Sequence, residues 1–304
     1  MMRLKDRLSN YAIFLALAIE FAVLALSTES FLTASNLSNV LRQNAFTAIL
    51  AAGMTFVIIT GGIDLSVGSV VGLTGVLCAG LLSHGAGVPA ALAGALALGV
   101  GIGVVNAVAI TQLKVPAFIV TLAMMQVARG TALKYTEART ITNLPAGFAA
   151  LSSGWVTALF VCAVFGVSWL VLMRTPFGRH VYAVGGNAEA ARLSGIRVQR
   201  VQGIVYSLCG GCAGLAGILV ASRLNAGYPR AGEFYELDAI AAVVVGGTSL
   251  FGGRGSIWGT LAGAFFIGVL NNGLNLFRVS TYDQLILKGL VLLAAASLDR
   301  WRSA

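Results

Sequence analysis

Val201-Gln-Gly-Ile-Val-Tyr-Ser-Leu-Cys-Gly-Gly-Cys-Ala-Gly-Leu-Ala-Gly-Ile-Leu-Val-Ala-Ser222 runs for 22 residues without a charged side chain. A helix needs roughly 20 predominantly apolar residues to cross the hydrocarbon core of a bilayer, and this stretch has that length and composition. Similar apolar runs recur from Tyr11 to Leu298. Across 304 residues, 58% are hydrophobic, 10% are charged and the mean hydropathy is +0.88. That polar complement cannot cover a water-soluble globule of this size, so the bilayer must be the solvent. The 38 glycines agree, because small residues let helix backbones approach closely in lipid, where no hydrophobic force drives helix against helix.

The expected fold is an all-α integral membrane protein, one transmembrane domain over residues 1–304. Spans are predicted near residues 11–27, 45–60, 66–83, 89–110, 117–133, 155–173, 201–222, 238–248, 256–276 and 284–298, about ten, with nine to eleven as the range. The eighth is short and runs into Gly246-Gly-Thr-Ser-Leu-Phe-Gly-Gly-Arg-Gly-Ser256, which reads as a broken or re-entrant segment. Such backbone is tolerated at membrane depth only inside protein or along a wet cavity. The basic start and apolar run of Met1 to Leu26 resemble a signal peptide, but the run is long enough to span and is read as retained.

The formal charge of +9 has a membrane explanation. With both termini cytoplasmic, the inside carries Arg3, Lys5, Arg7, Lys114, Arg174, Arg179, Arg192, Arg197, Arg200, Arg254, Arg300 and Arg302. The outside carries Arg42, Lys134, Arg139, Arg223, Arg230 and Arg278, while Arg129 and Lys288 fall in or at the ends of spans and are read as snorkelling to the interface. This bias follows the positive-inside rule and leaves no basic stripe for nucleic acid.

Two polar stretches stand out. The loop 174–200 is cytoplasmic in this topology and contains Gly185-Gly-Asn-Ala-Glu-Ala-Ala-Arg-Leu-Ser-Gly195. There Asn187 can cap a short amphipathic helix, with Glu189 in its first turn, Arg192 near its end and Gly195 to stop it. Lys134 to Gly154 has no apolar period and reads as an external surface loop. A weak internal echo links Gly61-Gly-Ile-Asp-Leu-Ser-Val-Gly68 with Gly246-Gly-Thr-Ser-Leu-Phe-Gly-Gly253, each following an apolar run.

Asp64 is an acidic residue held between two strongly apolar spans, where a carboxylate costs about 2.5 kcal/mol or more. It either lines a pathway or, the favoured reading, caps the helix that starts near Ser66 from the water at the cytoplasmic end. Asn106, Asn271, Asn272 and Asn275 lie in or at the ends of apolar runs and must find partners; interhelical bonding and the lining of a polar pathway are both open to them. The four-residue spacings Gly68/Gly72, Gly210/Gly214 and Gly259/Gly263 read as helix-crossing faces. Cys209 and Cys212 have metal or redox spacing, but no nearby Cys or His completes a set. Gly247 to Arg254 lacks the Lys-Ser/Thr of a phosphate loop. No catalytic set and no metal set is found in the sequence.

Three segments carry a resemblance. Val57-Ile-Ile-Thr-Gly-Gly-Ile-Asp-Leu-Ser-Val-Gly-Ser69, Gly185 to Ile196 and Tyr235-Glu-Leu-Asp-Ala-Ile-Ala-Ala-Val-Val-Val-Gly-Gly-Thr-Ser-Leu250, supported by Asn271 to Leu276, closely resemble the permeases of ribose-type sugar ABC importers. The likeness runs from about Phe31 to the last span. It implies a non-catalytic permease of the bacterial inner membrane, dimerising with a second copy or a paralogue around a central pathway. ATP and magnesium would reside on a separate ATP-binding subunit, with no cofactor in this chain, and a periplasmic sugar-binding protein would deliver a neutral monosaccharide. The segment with Gly186, Asn187, Glu189, Ala190, Arg192, Ser194 and Gly195 matches the family's cytoplasmic coupling segment. Asp64, Asn106, Asn271 and Asn272 are the candidates to line the translocation path. Arg223, Arg230 and Glu233, on a predicted external loop, are the candidates to contact the binding protein. An ion-coupled secondary transporter is the alternative from another class.

A tag at Gly147 is expected to be accessible in intact spheroplasts. Labelling only after permeabilisation would overturn the topology.

Overall fold

The structure is a computed structural model that describes residues 4–303, and the side chains of residues 13–300 apart from 298. Arg3, Lys5, Arg7 and Arg302, which contribute to the charge bias, lie outside those side chains. The chain forms α1 (Leu4–Ser27), α2 (Ala34–Ile59), α3 (Val67–Ser83), α4 (Val88–Thr111), α5 (Ala117–Thr136), α6 (Gly154–Arg174), α7 (Pro176–Gly186), α8 (Ala188–Leu193), α9 (Val198–Leu224), α10 (Tyr235–Val245), α11 (Ile257–Leu276) and α12 (Thr281–Ser303). Ten of these lie on the expected spans. Five, α2, α4, α6, α9 and α11, are long and apolar enough to cross a membrane by themselves. The smallest is α10, whose 11 residues reach only about 16 Å at about 1.5 Å per residue, roughly half of a ~30 Å hydrocarbon core.

α9 stands at the centre and packs against α2, α3 and α4. Its glycines make this possible on different faces. A Cβ on Gly210 would strike the Gly99 carbonyl of α4 and lie 3.0 Å from the Gly103 Cα, and one on Gly217 would meet the Val71 carbonyl of α3 at 2.6 Å. On the α2 side Gly53 meets Cys209 and Cys212. The helices therefore touch backbone to backbone, which is the close crossing that small residues permit in lipid. The second half of α2, Ala45 to Ile59, is buried at every residue but Thr47, and apart from Thr47 and Thr55 its residues are apolar all round rather than in a stripe.

Three expectations are corrected. α2 begins at Ala34, not near 45: Thr33 caps it by accepting from the Asn36 N–H at 3.3 Å. Hydropathy passed over this first part because Asn36 and Asn44 are polar, yet Asn36 pairs with Asn272 of α11 and Asn44 packs on Gly268. The 134–154 stretch is not merely a surface loop. It includes a 3-10 helix, Ala146–Ser152, anchored by the fully buried Phe148, whose carbonyl accepts from the Ser222 hydroxyl at 2.7 Å.

The third correction concerns the broken segment. The inward fold lies before α10, along 225–234, and not only after it. Gly227 backs onto Val76 and Ala79 late in α3, whereas Gly232 rests on the Gly68 carbonyl at its start. Over these few residues the chain thus descends along α3 from Ala79 to Gly68 before α10 begins. Gly68 and Gly72, read as a helix-crossing face, instead carry this descending loop.

Replacing Gly210 with Ala is expected to destabilise the detergent-solubilised protein by about 1–3 kcal/mol, the usual cost of overpacking. Gly101, with open space around it, is the control: Gly101→Ala should be neutral or stabilising by up to about 1 kcal/mol. Thermal unfolding of both variants checks the contrast, and equal behaviour would remove the packing role from Gly210.

Candidate functional site

The 174–200 loop folds into two helices rather than one. Thr175 accepts from the Gly178 N–H at 3.2 Å and Pro176 occupies the first turn, so α7 starts directly where α6 stops. α7 buries Gly178, Val181 and Val184 against the bundle. At Asn187 the backbone turns extended, and the Asn187 side chain accepts from the Ala190 N–H at 2.9 Å to cap α8. Gly195, at φ +84°, ends the turn that follows. Ala191 alone among the α8 residues is buried. Gly186, Asn187, Glu189, Ala190, Arg192, Ser194 and Gly195 are all exposed, and Leu193 stands 77% exposed beside them. Arg192 Nε donates to Glu189 at 3.1 Å. That bond, then the charge, holds the Glu189 carboxyl below its ordinary range. The result is a short protruding knob with an apolar tip and fixed charges.

Behind the knob, three glycine-bearing segments meet with almost no side chain between them. The Gly253 N–H donates to the Ile59 carbonyl, the last of α2, at 2.9 Å. A Cβ on Gly185, at the end of α7, would fall on that same carbonyl, and one on Gly253 would meet the Gly186 Cα at 2.9 Å. Gly252 and Gly253 sit at φ +84° and +72°, which glycine adopts without a steric penalty. Tyr182 of α7 seals the joint by donating to the Gly255 carbonyl at 3.0 Å. The two echoing glycine segments of the sequence, 61–68 and 246–253, are thus brought together here.

The 246–255 loop is also moored to α12. Asp299 accepts from the Leu250 N–H at 2.9 Å and the Ser249 hydroxyl at 3.1 Å. Further along α12, Lys288 Nζ pairs with Asp238 in the first turn of α10 at 3.0 Å, with side-chain exposures of 24% and 10%. On the other side of α10's start, Arg129 of α5 donates to the Pro229 and Ala231 carbonyls at 2.7 and 2.9 Å, supplying partners that the descending loop lacks.

The sequence of this chain has counterparts among known proteins. The model of a family described as branched-chain amino acid transport system / permease component matches residues 36–296. The chain belongs to this permease family. It is 48% identical over 298 residues to the ribose import permease protein RbsC of Bacillus subtilis (strain 168), covering 96% of this chain and 92% of that protein. It is 46% identical over 297 residues to the ribose import permease protein RbsC of Escherichia coli (strain K12), covering 94% and 92%. Identity to the D-allose transport system permease protein AlsC of Escherichia coli (strain K12) is 36% over 298 residues, covering 96% and 91%. No solved structure matches the chain. It is a multi-pass membrane permease of the ribose type.

The remaining candidates of this permease fall in separate places. Asp64 does cap the start of α3, accepting from the Ser66 N–H at 2.9 Å and its hydroxyl at 2.6 Å. It does so in the protein interior at 1% exposure and not in water. Asn106 of α4 donates to the same Ser66 hydroxyl at 3.1 Å, so the α2–α3 break is tied across to α4. In this conformation both are enclosed within the protomer. Asn272 exchanges two hydrogen bonds with Asn36 (2.8 and 3.0 Å), with Asn271 beside it in α11, and neither bonds to that network. Arg223 is not a free loop charge: it is half-buried and stacks on Phe46 at 5.7 Å. Arg230 and Glu233 remain exposed and face each other at 3.6 Å.

Arg129, Tyr182, Asp238, Lys288 and Asp299 were not singled out as site residues by sequence reasoning. Lys288 and Arg129 do not snorkel; each is committed to an interior partner. The available signal was the charge itself, because ionisable residues inside apolar runs are held there by partners.

Lys288→Met leaves Asp238 buried and unpaired, with an expected loss of about 3–5 kcal/mol. The double variant Asp238→Asn, Lys288→Met should recover most of it. Unfolding of purified protein measures this, and a double variant no better than Lys288→Met would show that the pair is not the unit.

Proposed function

We propose that this chain is the membrane-spanning subunit of an ATP-driven importer for a neutral monosaccharide, ribose or a closely related sugar, in the bacterial inner membrane. About ten helices cross or enter the bilayer, with both termini in the cytoplasm. The observation that carries the reading is the exposed α8 knob joined through backbone contacts to the broken helices, in a chain whose full-length relatives are named for ribose and allose. The family description mentions branched-chain amino acids. The sugar assignment rests on the relatives that match end to end.

In this reading an ATP-binding subunit, which carries ATP and magnesium, receives α8 in a groove. Leu193 gives apolar contact, and Glu189 and Arg192 set orientation. Closure of the ATPase displaces α7 and α8. Because Gly185 and Gly253 abut the end of α2, the displacement reaches the 246–255 loop directly, and from there α10 and, through Asp299, α12. Lys288 and Asp238 keep α10 and α12 moving as one body. Tilting of that body against α5 and α3 exchanges outward and inward openings between this chain and a second permease copy. Opening of the α2–α3 break brings Asp64 and Asn106 toward the path, and Asn271 and Asn272 serve near its other end. A periplasmic sugar-binding protein meets Arg230 and Glu233, with Arg223 behind them. ATP must bias the two states, since a passive pathway with equal affinity in both cannot concentrate a solute.

Uptake of labelled ribose by cells with and without the gene tests this. Gene-dependent uptake lost on ATP depletion and kept on collapse of the proton gradient is expected. The double swap Glu189→Arg, Arg192→Glu preserves the local pair but should abolish uptake with the protein still in the membrane. Gradient-sensitive uptake would replace this reading with an ion-coupled transporter, and undiminished uptake by the swap would remove α8 from coupling.

A further inference from the structure

A large apolar groove lies neither at the knob nor at the charge pair. It is a groove of about 880 Å³ between α4 and α9, with Phe160 of α6 at its edge. Leu96, Val100, Val104 and Val108 of α4 form one wall, and Ile204 and Leu208 of α9 the other, each with about two-fifths of its surface open. The floor is low because Gly203 and Gly211 have no side chain there. Ser207, also in the floor, spends its hydroxyl on the Gly203 carbonyl of its own helix at 2.8 Å. The middle of the groove therefore asks for an apolar occupant.

Its polar groups are gathered at one end: Thr111, Gln112, Gln199 and Arg200. The Gln199 side chain donates to the Thr111 carbonyl at 3.1 Å and closes the rim there. Arg200 is exposed and forms no ion pair among the described residues; exposed Arg197 precedes it by three residues, and exposed Lys114 follows Gln112 just beyond the end of α4. Glu189 of the neighbouring α8 is committed to Arg192, and Asp299 to the 246–255 loop. From Leu96 to Gln112 the α4 wall rises about 24 Å at about 1.5 Å per residue, longer than the ~15 Å that one leaflet contributes to a ~30 Å core. An acyl chain fits along the groove with its headgroup at Arg200.

We infer that the α4–α9 groove is a binding site for an anionic phospholipid, the acyl chain lying over Gly203 and Gly211 and the phosphate held by Arg200 and Gln112. Basic pockets between transmembrane helices at the cytoplasmic side are suited to such headgroups. The lipid would bridge the ends of α4 and α9 next to the α8 knob, fixing the base from which α8 projects.

Purified full-length protein, exchanged into mixed phosphatidylglycerol and phosphatidylcholine, is examined by native mass spectrometry for retained lipid. Phosphatidylglycerol should be retained in preference. Arg200→Ala should cut its retention about fivefold, the equivalent of about 1 kcal/mol per basic residue at an anionic lipid headgroup, while Arg179→Ala on α7 leaves it unchanged. Gly203→Trp, which fills the floor, should abolish retention; if that variant does not fold, Gly203→Leu takes its place. Equal retention of the two lipids, or an unaltered Arg200→Ala, would overturn the headgroup assignment. Disulfide-linked dimers of Ser207→Cys would overturn the lipid in favour of a second copy of the chain.

Discussion

A single carbonyl organises this molecule. Ile59 ends α2, and its oxygen accepts from Gly253 while Gly185 lies against it. Three stretches remote in sequence are thereby held with backbone facing backbone. Most joints between membrane helices are padded by side chains that adjust rotamers when strained. Here there is nothing to adjust, since the residues on both approaching segments are glycine. The positions of α7, of the 246–255 loop and of α2 are consequently fixed relative to one another, and the elements each of them supports inherit that placement.

Interior charge is the second organising element. α10 is too short to cross a bilayer, and the chain leading to it runs against α3 without helical hydrogen bonds. Arg129 answers two of the exposed carbonyls, and the Asp238–Lys288 pair fastens the short helix to α12. Arg129 satisfies carbonyls that irregular backbone leaves open, and Asp238 and Lys288 satisfy each other, which is why these charges survive in so apolar a chain. The same economy applies to Asp64, whose carboxylate completes the break between α2 and α3 inside the protein.

Much of this was legible in the sequence, and the portions that were not share a cause. The positions of the apolar helices, the Asn187 cap, the Gly195 stop and the Glu189–Arg192 polarity of α8 follow from local rules that act within a turn or two of helix. The beginning of α2 escaped because Asn36 and Asn44 look like loop residues until Asn272 and Gly268, more than two hundred residues away, are seen against them. The descent of 225–234 escaped for a similar reason, since Tyr228 to Gly232 carries no apolar period and only the Gly68/Gly72 floor reveals that it is inside. Lys288 reads as a snorkelling charge when its partner Asp238 is not in view. Pairing across fifty residues is a property of the tertiary fold, and spacing does not encode it.

The half-length of α10 has a consequence for how the protein enters the membrane during synthesis. Eleven residues beginning with Tyr235-Glu-Leu-Asp are too few, and too charged at their start, to be recognised as a spanning segment in isolation. Partition into lipid must come with the neighbouring hairpin partner α11, whose Gly259 and Gly263 sit directly on Gly246 and Ala242. Lys288 is translated later, so Asp238 waits without its counter-ion until α12 arrives. The charge pair is in that sense the closing clasp of biogenesis, and a chain stalled or cut before α12 is left with an uncompensated carboxylate in its interior.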